Sequence, residues 1–287
     1  MSASQPYRDH LVSYRGSNIY VRHYEGAGPA FVMMHGFPDN LHIYDRLIPA
    51  LPGRQVIAFD FLGWGASDKP ADCVYTSKQQ EGELHAVLDA LQIDQVVPVA
   101  HDASGPVAIN WALDHPERVS ALVLLNTYYG QSPTLRFPEF ISLFADPAYT
   151  ALSRAIAQDP AVAQWLLEWQ GRRFGGDEQV LQTLLPSIIG PQFLGTPSTF
   201  PPFIGLTSDL PATLQASTRR LPDLAAFARP VRIIFGAEDP YLNPGVARSL
   251  HEALPTSDLS LLPKKGHWPQ LDGASEVAQL LLSLPEV

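Results

Sequence analysis

The chain has 287 residues, of which 46% are hydrophobic, so it can bury one large core, and we expect one α/β domain that carries an insertion. Its formal net charge of −10 argues against nucleic acid or an anionic membrane surface as a partner. The single cysteine, Cys73, rules out an internal disulfide, and the sequence has neither an apolar run of about 20 residues nor a secretory signal at residues 1–10, so we expect a cytoplasmic protein.

Eight short runs of apolar and β-branched residues predict the strands of a sheet. They fall at residues 10–14, 18–24, 30–34, 55–60, 95–101, 121–126, 231–236 and 259–262. From the third run onward they are continuous and apolar, which is typical of parallel strands that are covered on both faces.

Helical patterns lie between these strands. They occupy residues 40–51, 77–91, 106–115, 244–254 and 275–282. Because strands and helices alternate along the chain, we predict an α/β fold with a mostly parallel eight-stranded sheet and helices on both of its faces.

The alternation stops after the sixth strand, where a long segment without a predicted strand begins. Helical patterns in this segment occupy residues 139–144, 162–173 and 178–185. Residues 186–211 are rich in Pro, Gly, Ser and Thr, which predicts an irregular loop. We therefore expect residues 127–222 to form a helical cap, inserted into a core made of residues 1–126 and 223–287.

The fifth strand runs into a sharp turn and then a helix, with Asp102 at the tip of the turn. Such a turn needs small residues two positions before and two positions after its tip, and Ala100 and Ser104 meet that need. This is the pattern of a nucleophile elbow with a carboxylate in place of serine. Because a carboxylate attacks saturated carbon well but would give a mixed anhydride with an ester, Asp102 favours cleavage of an alkyl C–X or C–O bond. The alternatives are that Asp102 only caps the helix, or that Ser104 is the nucleophile.

Three further segments follow strand ends, where open α/β sheets place their sites. The backbone N–H groups of Phe37 and Ala103 are expected to form an oxyanion hole. Asp239, preferred to its neighbour Glu238 for its shorter side chain, is expected to orient the imidazole of His267. In the predicted reaction Asp102 forms an ester with the substrate, and His267 then activates water to hydrolyse that ester.

These segments resemble the α/β-hydrolase superfamily and, within it, the haloalkane dehalogenase and epoxide hydrolase group. His35-Gly36-Phe37-Pro38 resembles the HGxP loop of both families and is more like epoxide hydrolases at its third position. Residues 60–70, which end in Ser-Asp-Lys-Pro, look more like haloalkane dehalogenases. The resemblance covers the whole core and implies an acid nucleophile at Asp102. The acid would follow the seventh strand at Asp239, because the sixth strand ends in Asn126.

The sequence departs from both families at the residues that receive the leaving group. Dehalogenases of this group usually have Trp after the nucleophile, where this chain has Ala103. Epoxide hydrolases usually bring two cap tyrosines to the ring oxygen, and the predicted cap is poor in tyrosine. The candidates for contact with the substrate or leaving group are therefore spread over the cap and the HGxP-like loop. They are Trp165, Trp169, Tyr149, Tyr128 and Phe37.

The sequence thus predicts a hydrolase that acts on a small apolar molecule, with no metal and no cofactor, as a monomer or homodimer. We favour a haloalkane by a small margin, from the Ser-Asp-Lys-Pro loop and the shortage of tyrosines, with an epoxide as the alternative. Two more hypotheses stay open: a ligand-binding protein that has kept the fold but lost turnover, and a serine esterase that uses Ser104. We expect His35 to stabilise its loop, and we assign His101 no role.

Overall fold

The computed structural model describes residues 6–285, and eight strands within that range form one sheet. They are β1 (Arg8–Tyr14), β2 (Ser17–Tyr24), β3 (Ala27–Met34), β4 (Arg54–Phe59), β5 (Val96–Asp102), β6 (Leu122–Thr127), β7 (Val231–Gly236) and β8 (Ser257–Leu262). Their order across the sheet is β1-β2-β4-β3-β5-β6-β7-β8. The pairings of β2 with β1 and with β4 are antiparallel, and all the others are parallel. The predicted fold class is confirmed.

Helices cover the sheet on both faces. They are α1 (Ser77–Ala90), α2 (Ser104–Asp114), α9 (Pro244–Ala253), α10 (Pro269–Asp272) and α11 (Ala274–Leu282). All six residues of β6 are buried, and because successive side chains of a strand point to opposite faces, both faces of β6 must be covered. In the described part of the chain, no helix is both long enough and apolar enough to cross a bilayer.

The helix predicted at residues 40–51 is wrong. Two short 3₁₀ helices, Leu41–Tyr44 and Ile48–Ala50, occupy that segment. Pro49 has no N–H to donate to a carbonyl four residues earlier, so an α-helix over the whole segment would lose a hydrogen bond there. The side chain of Asn40 instead caps the first 3₁₀ helix by accepting from the N–H of His42.

A series of helices connects β6 to β7. They are α3 (Glu139–Ala145), α4 (Thr150–Ala157), α5 (Pro160–Gly171), α6 (Glu178–Leu184), α7 (Gly190–Leu194) and α8 (Phe200–Arg220), with a π-helical turn at Leu185–Ile189. Since β6 and β7 are neighbours in the sheet, this segment leaves and re-enters the sheet at adjacent positions.

The irregular loop predicted at residues 186–211 is wrong, because most of that segment is helical. Pro191 lies in the first turn of α7, and Pro201 and Pro202 lie in the first turn of α8, where no intrahelical N–H bond is needed. Pro211 lies in the interior of α8.

Phenylalanine rings join α8 to α3 and to the core. The ring of Phe203 in α8 is stacked on that of Phe140, with centroids 5.1 Å apart, and meets the ring of Phe144 edge-on at 5.1 Å. Phe203 also lies 5.8 Å from Phe37, which belongs to the loop after β3. The inserted helices therefore pack directly on the loop that follows a central strand.

Glu83 in α1 is a buried carboxyl group away from the nucleophile turn. It is fully buried and accepts hydrogen bonds from the N–H of Leu62 at 2.8 Å and from the side chain of Gln79 at 2.7 Å. Burial raises the pKa of Glu83 to about 7, against the opposing effect of those hydrogen bonds.

Candidate active site

Asp102 stands at the tip of a strained turn between β5 and α2. Its φ is +51°, in the left-handed region that residues other than glycine seldom adopt. A Cβ on Gly36 would lie 2.6 Å from the Cβ of Asp102, so only glycine fits opposite the tip. The hydroxyl of Thr127 donates to the carbonyl oxygen of Asp102, which fixes the turn from the neighbouring strand. Strain of this kind is commonly found at functional sites.

The carboxylate of Asp102 meets the loop after β3. The N–H of Phe37 donates to Asp102 Oδ2 at 3.2 Å. Burial is the largest influence on this group and raises its pKa, whereas His267, His101 and the Phe37 N–H act to lower it. Burial thus opposes the ionised form of Asp102, while the neighbouring histidines and the Phe37 N–H favour it.

Ser104, the alternative nucleophile, has its hydroxyl bound to the backbone. Its hydroxyl donates to the carbonyl oxygens of Met34 at 2.9 Å and His101 at 2.8 Å, and it accepts from the N–H of His101. The side chain is buried and does not line the cavity described below. Its position supports the turn rather than an attack on a substrate.

His267 and Asp239 meet behind the cavity. His267 Nδ1 lies 2.7 Å from Asp239 Oδ2, and both side chains are buried. A carboxylate only accepts, so Nδ1 carries a proton, and Nε2 is left without a hydrogen-bond partner among residues 6–285. Burial by itself lowers the pKa of His267, but the charge and hydrogen bond of Asp239, with the charges of Asp102 and Asp39, raise it above its ordinary value.

Asp239 is itself held by several donors. Its Oδ1 accepts from the N–H groups of Tyr241 at 2.9 Å and Leu242 at 3.1 Å. Its Oδ2 accepts from the side-chain amide of Asn126 at 3.0 Å, and the amide oxygen of Asn126 accepts from the N–H of Gly236. This role of Asn126 was not predicted from the sequence, although a polar residue at the end of a buried strand was a signal for it.

Asp39 is a second acid that was not predicted from the sequence. It is buried, and its Oδ2 accepts from the indole N–H of Trp268 at 3.1 Å. It lies two residues after Phe37, so it connects the loop that follows β3 with the segment that carries His267.

One apolar cavity brings Asp102 and His267 together. Its lining includes Asp102 and His267 from the core and, from the segment between β6 and β7, side chains of α3, α5 and α8. The apolar part of the lining consists of Phe37, Pro38, Phe137, Pro138, Phe140, Ile141, Leu167, Phe174, Ile189, Leu210 and Leu242. The cavity is narrow, with a volume of about 50 Å³, which suits a small ligand.

Of the five predicted contacts to substrate or leaving group, Tyr128 and Phe37 line the cavity and three do not. Trp165 is 61% exposed and Tyr149 is 49% exposed. The ring of Trp169 is covered by the guanidinium of Arg173 at 4.5 Å. The predictions for these three residues are not supported, because α5 turns Leu167, Gln170 and Gly171 to the cavity and its two tryptophans elsewhere.

Among the side-chain donors in the cavity wall, one indole N–H and two tyrosine hydroxyls differ in their availability. The indole N–H of Trp268 is used by Asp39, and the hydroxyl of Tyr241 donates to Glu139. No residue in the described range forms a hydrogen bond with the hydroxyl of Tyr128. Burial, with a smaller contribution from the charge of Asp102, raises the pKa of Tyr128, so its hydroxyl keeps its proton and is free to donate.

The comparisons with known proteins agree with this architecture. Residues 29–274 match the family described as alpha/beta hydrolase fold. No group of three or more His, Cys, Asp or Glu side chains that would hold a metal occurs in the described chain, and the predicted absence of a cofactor stays a prediction.

Three relatives are similar to parts of the chain. A cis-3-alkyl-4-alkyloxetan-2-one decarboxylase from Shewanella oneidensis is 38% identical over 126 residues, 42% of this chain and 39% of that protein. An epoxide hydrolase from Caballeronia sordidicola is 37% identical over 118 residues, 40% of this chain and 36% of that protein. Haloalkane dehalogenase 2 from Mycobacterium bovis is 31% identical over 136 residues, 47% of each chain. Each match therefore spans less than half of the relative's length.

Proposed function

The chain belongs to the alpha/beta hydrolase fold family, and from that premise we propose that it opens small epoxides to vicinal diols through an ester formed on Asp102. The observation that carries this proposal is that Asp102 and His267 line the same apolar cavity, while Asp239 contacts the imidazole from behind at 2.7 Å. Relatives named as epoxide hydrolase and haloalkane dehalogenase support the reaction class.

In the first step, a carboxylate oxygen of Asp102 attacks a ring carbon, and the C–O bond of the epoxide breaks. The leaving oxygen needs a proton, and the hydroxyl of Tyr128 supplies it. Tyr128 rather than a tryptophan of α5 is assigned here, because its hydroxyl is free and its ring lines the cavity.

In the second step, Nε2 of His267 takes a proton from water, and the resulting hydroxide adds to the carbonyl carbon of the ester. The N–H groups of Phe37 and Ala103 would hold the oxyanion. When the tetrahedral intermediate collapses, the departing alkoxide takes the proton from His267. The proton of the restored Asp102 carboxyl returns through solvent to the oxygen of Tyr128, so that one water has been consumed for each diol.

A carbon–halogen bond is the second candidate, favoured by the Ser-Asp-Lys-Pro end of the loop at residues 60–70. A halide leaves with its bonding electrons and needs no proton. The site would then need a hydrogen-bond donor to stabilise the halide ion, but no general acid. We rank the epoxide first because the free hydroxyl of Tyr128 can donate a proton to the one oxygen that leaves. In either reaction we propose that residues 127–222 act as the cap that closes the site.

The test compares diol and bromide release from a terminal epoxide and a brominated alkane of equal chain length. Tyr128→Phe should lower the rate of diol formation by about 10² or more, the usual contribution of a general acid, and should affect bromide release much less. The matched control is Tyr129→Phe, because the adjacent Tyr129 is also buried but donates to Asn110 and does not line the cavity.

The ester itself is tested by intact mass. In His267→Gln the second step fails, so incubation with a substrate should add the mass of that substrate to the protein. Asp102→Asn should abolish both turnover and the added mass. Turnover that survives Asp102→Asn, or a wild-type enzyme that releases neither diol nor bromide, would contradict the proposed function.

A further inference from the structure

His101, the residue before the proposed nucleophile, is a buried histidine to which the reaction above gives no role. Its side chain is fully buried. Its Nε2 lies 2.8 Å from the backbone carbonyl oxygen of His267. A carbonyl oxygen only accepts hydrogen bonds, so Nε2 must carry a proton.

The other ring nitrogen of His101 faces a carboxylate. Nδ1 lies 3.4 Å from Asp39 Oδ2, an ionic contact rather than an aligned hydrogen bond. Both side chains are buried, so water does not screen the contact. A lone pair on Nδ1 would face the negative charge of Asp39 and be repelled by it, whereas a proton on Nδ1 would be attracted to that charge.

Both nitrogens of His101 therefore face acceptors. We propose that His101 is a buried imidazolium cation, paired with Asp39, whose charge keeps Asp102 ionised. The part of this inference that concerns Asp102 rests on the proposed function, in which the ionised carboxylate is the nucleophile. His101 acts through Asp102 and does not touch the reacting atoms, so it is a positioning residue.

The charges around Asp102 explain why such a cation is needed. Burial raises the pKa of Asp102, and Asp39 raises it further, while His267 and His101 lower it. His267 must be neutral to act as a base, so it cannot supply a lasting positive charge. The imidazole ring of His101 lies 4.8 Å from that of His267 and remains as the cation of the group.

The neighbours of His101 come from several elements. Its charge faces Asp39 in the loop after β3, Asp102 in β5 and His267 after β8, whose own partner is Asp239. With His101 protonated, its charge is balanced by Asp39, and the remaining excess of negative charge belongs to Asp102 and Asp239.

A second buried histidine in the same region provides an internal reference. His35 Nε2 accepts from the N–H of Phe61 at 3.1 Å, and its Nδ1 faces the carbonyl oxygen of Gly36. These partners require one ring nitrogen with a proton and one without, and burial lowers the pKa of His35. His35 should therefore be neutral under conditions in which His101 is charged.

Nitrogen-15 NMR of protein labelled on its histidines tests the charge directly. At about pH 7.5, roughly one unit above the ordinary pKa of histidine, both ring nitrogens of His101 should show the shifts of an imidazolium. His35 should show one protonated and one unprotonated nitrogen. The variants His101→Gln and His35→Gln assign the two sets of signals. A neutral pattern for His101 in the wild type would overturn the proposal.

Asp39→Asn tests the pairing. The amide keeps an acceptor for Trp268 but removes the negative charge, so His101 should lose one proton at a pH at which the wild type keeps it. An imidazolium that persists unchanged in Asp39→Asn would overturn the pairing. If His101→Gln does not fold, this variant also assigns the His101 signals, because they are the ones that move most.

Carbon-13 NMR of labelled aspartate carboxyls tests the effect on Asp102, assigned by comparison with Asp102→Asn. In His101→Gln, whose amide can still donate to the carbonyl of His267, the titration midpoint of Asp102 should rise by about one unit or more, as expected when a nearby opposite charge is lost. An unchanged midpoint would reduce His101 to a purely structural role. Neither NMR experiment needs turnover, so a failed proposed function (no diol and no bromide) is distinguished from a failed inference.

Discussion

At the scale of single residues, the acid that orients His267 depends on an amide from the neighbouring strand. Asn126 donates to Asp239 Oδ2 and accepts from the N–H of Gly236, so one side chain connects β6 to the loop after β7. An acid at position 126 would set two carboxylates against each other where there is now a hydrogen bond of 3.0 Å. The side-chain amide of Asn126 is thus required because its N–H donates to Asp239.

Asn126→Asp should therefore slow the hydrolysis of the ester more than its formation. We expect a loss of at least about tenfold, which corresponds to about 1.4 kcal/mol of activation free energy. Single-turnover mass spectrometry would show the ester accumulating in the variant. Asn18→Asp is the control for the same chemical change, because Asn18 is exposed and its side chain forms no hydrogen bond with any residue in the described range. Equal rates of ester hydrolysis in Asn126→Asp and the wild type would contradict this assignment.

The pKa of His267 gives a second prediction at this scale. The histidine must be neutral to act as a base, and its pKa is raised above 6.5, so ester hydrolysis should be lost as the pH falls through that raised value. Asp102 is uncharged in the ester and no longer raises the pKa of His267. The midpoint for hydrolysis of the ester in the wild-type enzyme should thus lie below the midpoint measured for His267 in the free enzyme by NMR. A midpoint that is higher in the ester would contradict the charge assignment.

Asp102, Asp239 and His267 could be located from the sequence because each follows a strand in a recognisable order. The structure places Asp239, not Glu238, against His267. Asn126 and Asp39 were missed because their importance lies in contacts with residues more than a hundred positions away, which no local pattern records. Their catalytic and supporting roles stay predictions until the variants are measured.

At the scale of elements, the strands were predicted closely and the connections were not. A short apolar run between turn residues is typical of a strand, and all eight strands were found within three residues of their predicted ends. Proline-rich composition was read as irregular structure at residues 186–211, but a proline in a first helical turn costs nothing there. The helix α4, Thr150–Ala157, was missed altogether.

The turn that carries Asp102 requires a glycine from another element. In Gly36→Ala the new Cβ would lie 2.6 Å from the Cβ of Asp102, so the nucleophile or the loop after β3 must shift. We expect ester formation to fall by about 10² or more, since small displacements of reacting groups are costly. The rate of ester formation would be measured by stopping incubations at set times and recording the intact mass of the protein.

Gly53→Ala is the control for that change. A Cβ on Gly53 meets nothing within 4 Å, although its φ of +72° means that alanine is strained there. The strain should lower the free energy of unfolding by about 1–2 kcal/mol without changing ester formation. Equal ester formation in the two alanine variants would contradict the steric argument for Gly36.

At the scale of the whole molecule, Glu83 makes the free energy of unfolding depend on pH. Its folded pKa is about 7 and the ordinary value is 4.5, so the folded protein binds the proton more tightly. The stability that this carboxyl contributes when protonated is therefore lost as the pH rises from 4.5 to about 7. The shift corresponds to about 3 kcal/mol.

Glu83→Gln should accordingly lower the free energy of unfolding less at about pH 8 than at about pH 5. The loss at the two pH values should differ by about 2–3 kcal/mol. Urea unfolding of both proteins at the two pH values would measure it. Glu252→Gln, at an exposed position, should show no such difference. A penalty for Glu83→Gln that is the same at both pH values would show that the carboxyl is not protonated in the folded protein at the lower pH.

The adjacency of β6 and β7 has a consequence for how this protein can diverge. About a hundred residues are inserted between two strands that pair directly with each other. Evolution can therefore lengthen, shorten or exchange that segment while the sheet keeps its register. The proposed nucleophile Asp102 and base His267 lie on the sheet side, whereas Tyr128 and much of the cavity wall belong to the inserted segment. A chimera that keeps Tyr128 and receives a foreign insert after it should therefore keep the proposed reaction and accept a different range of compounds.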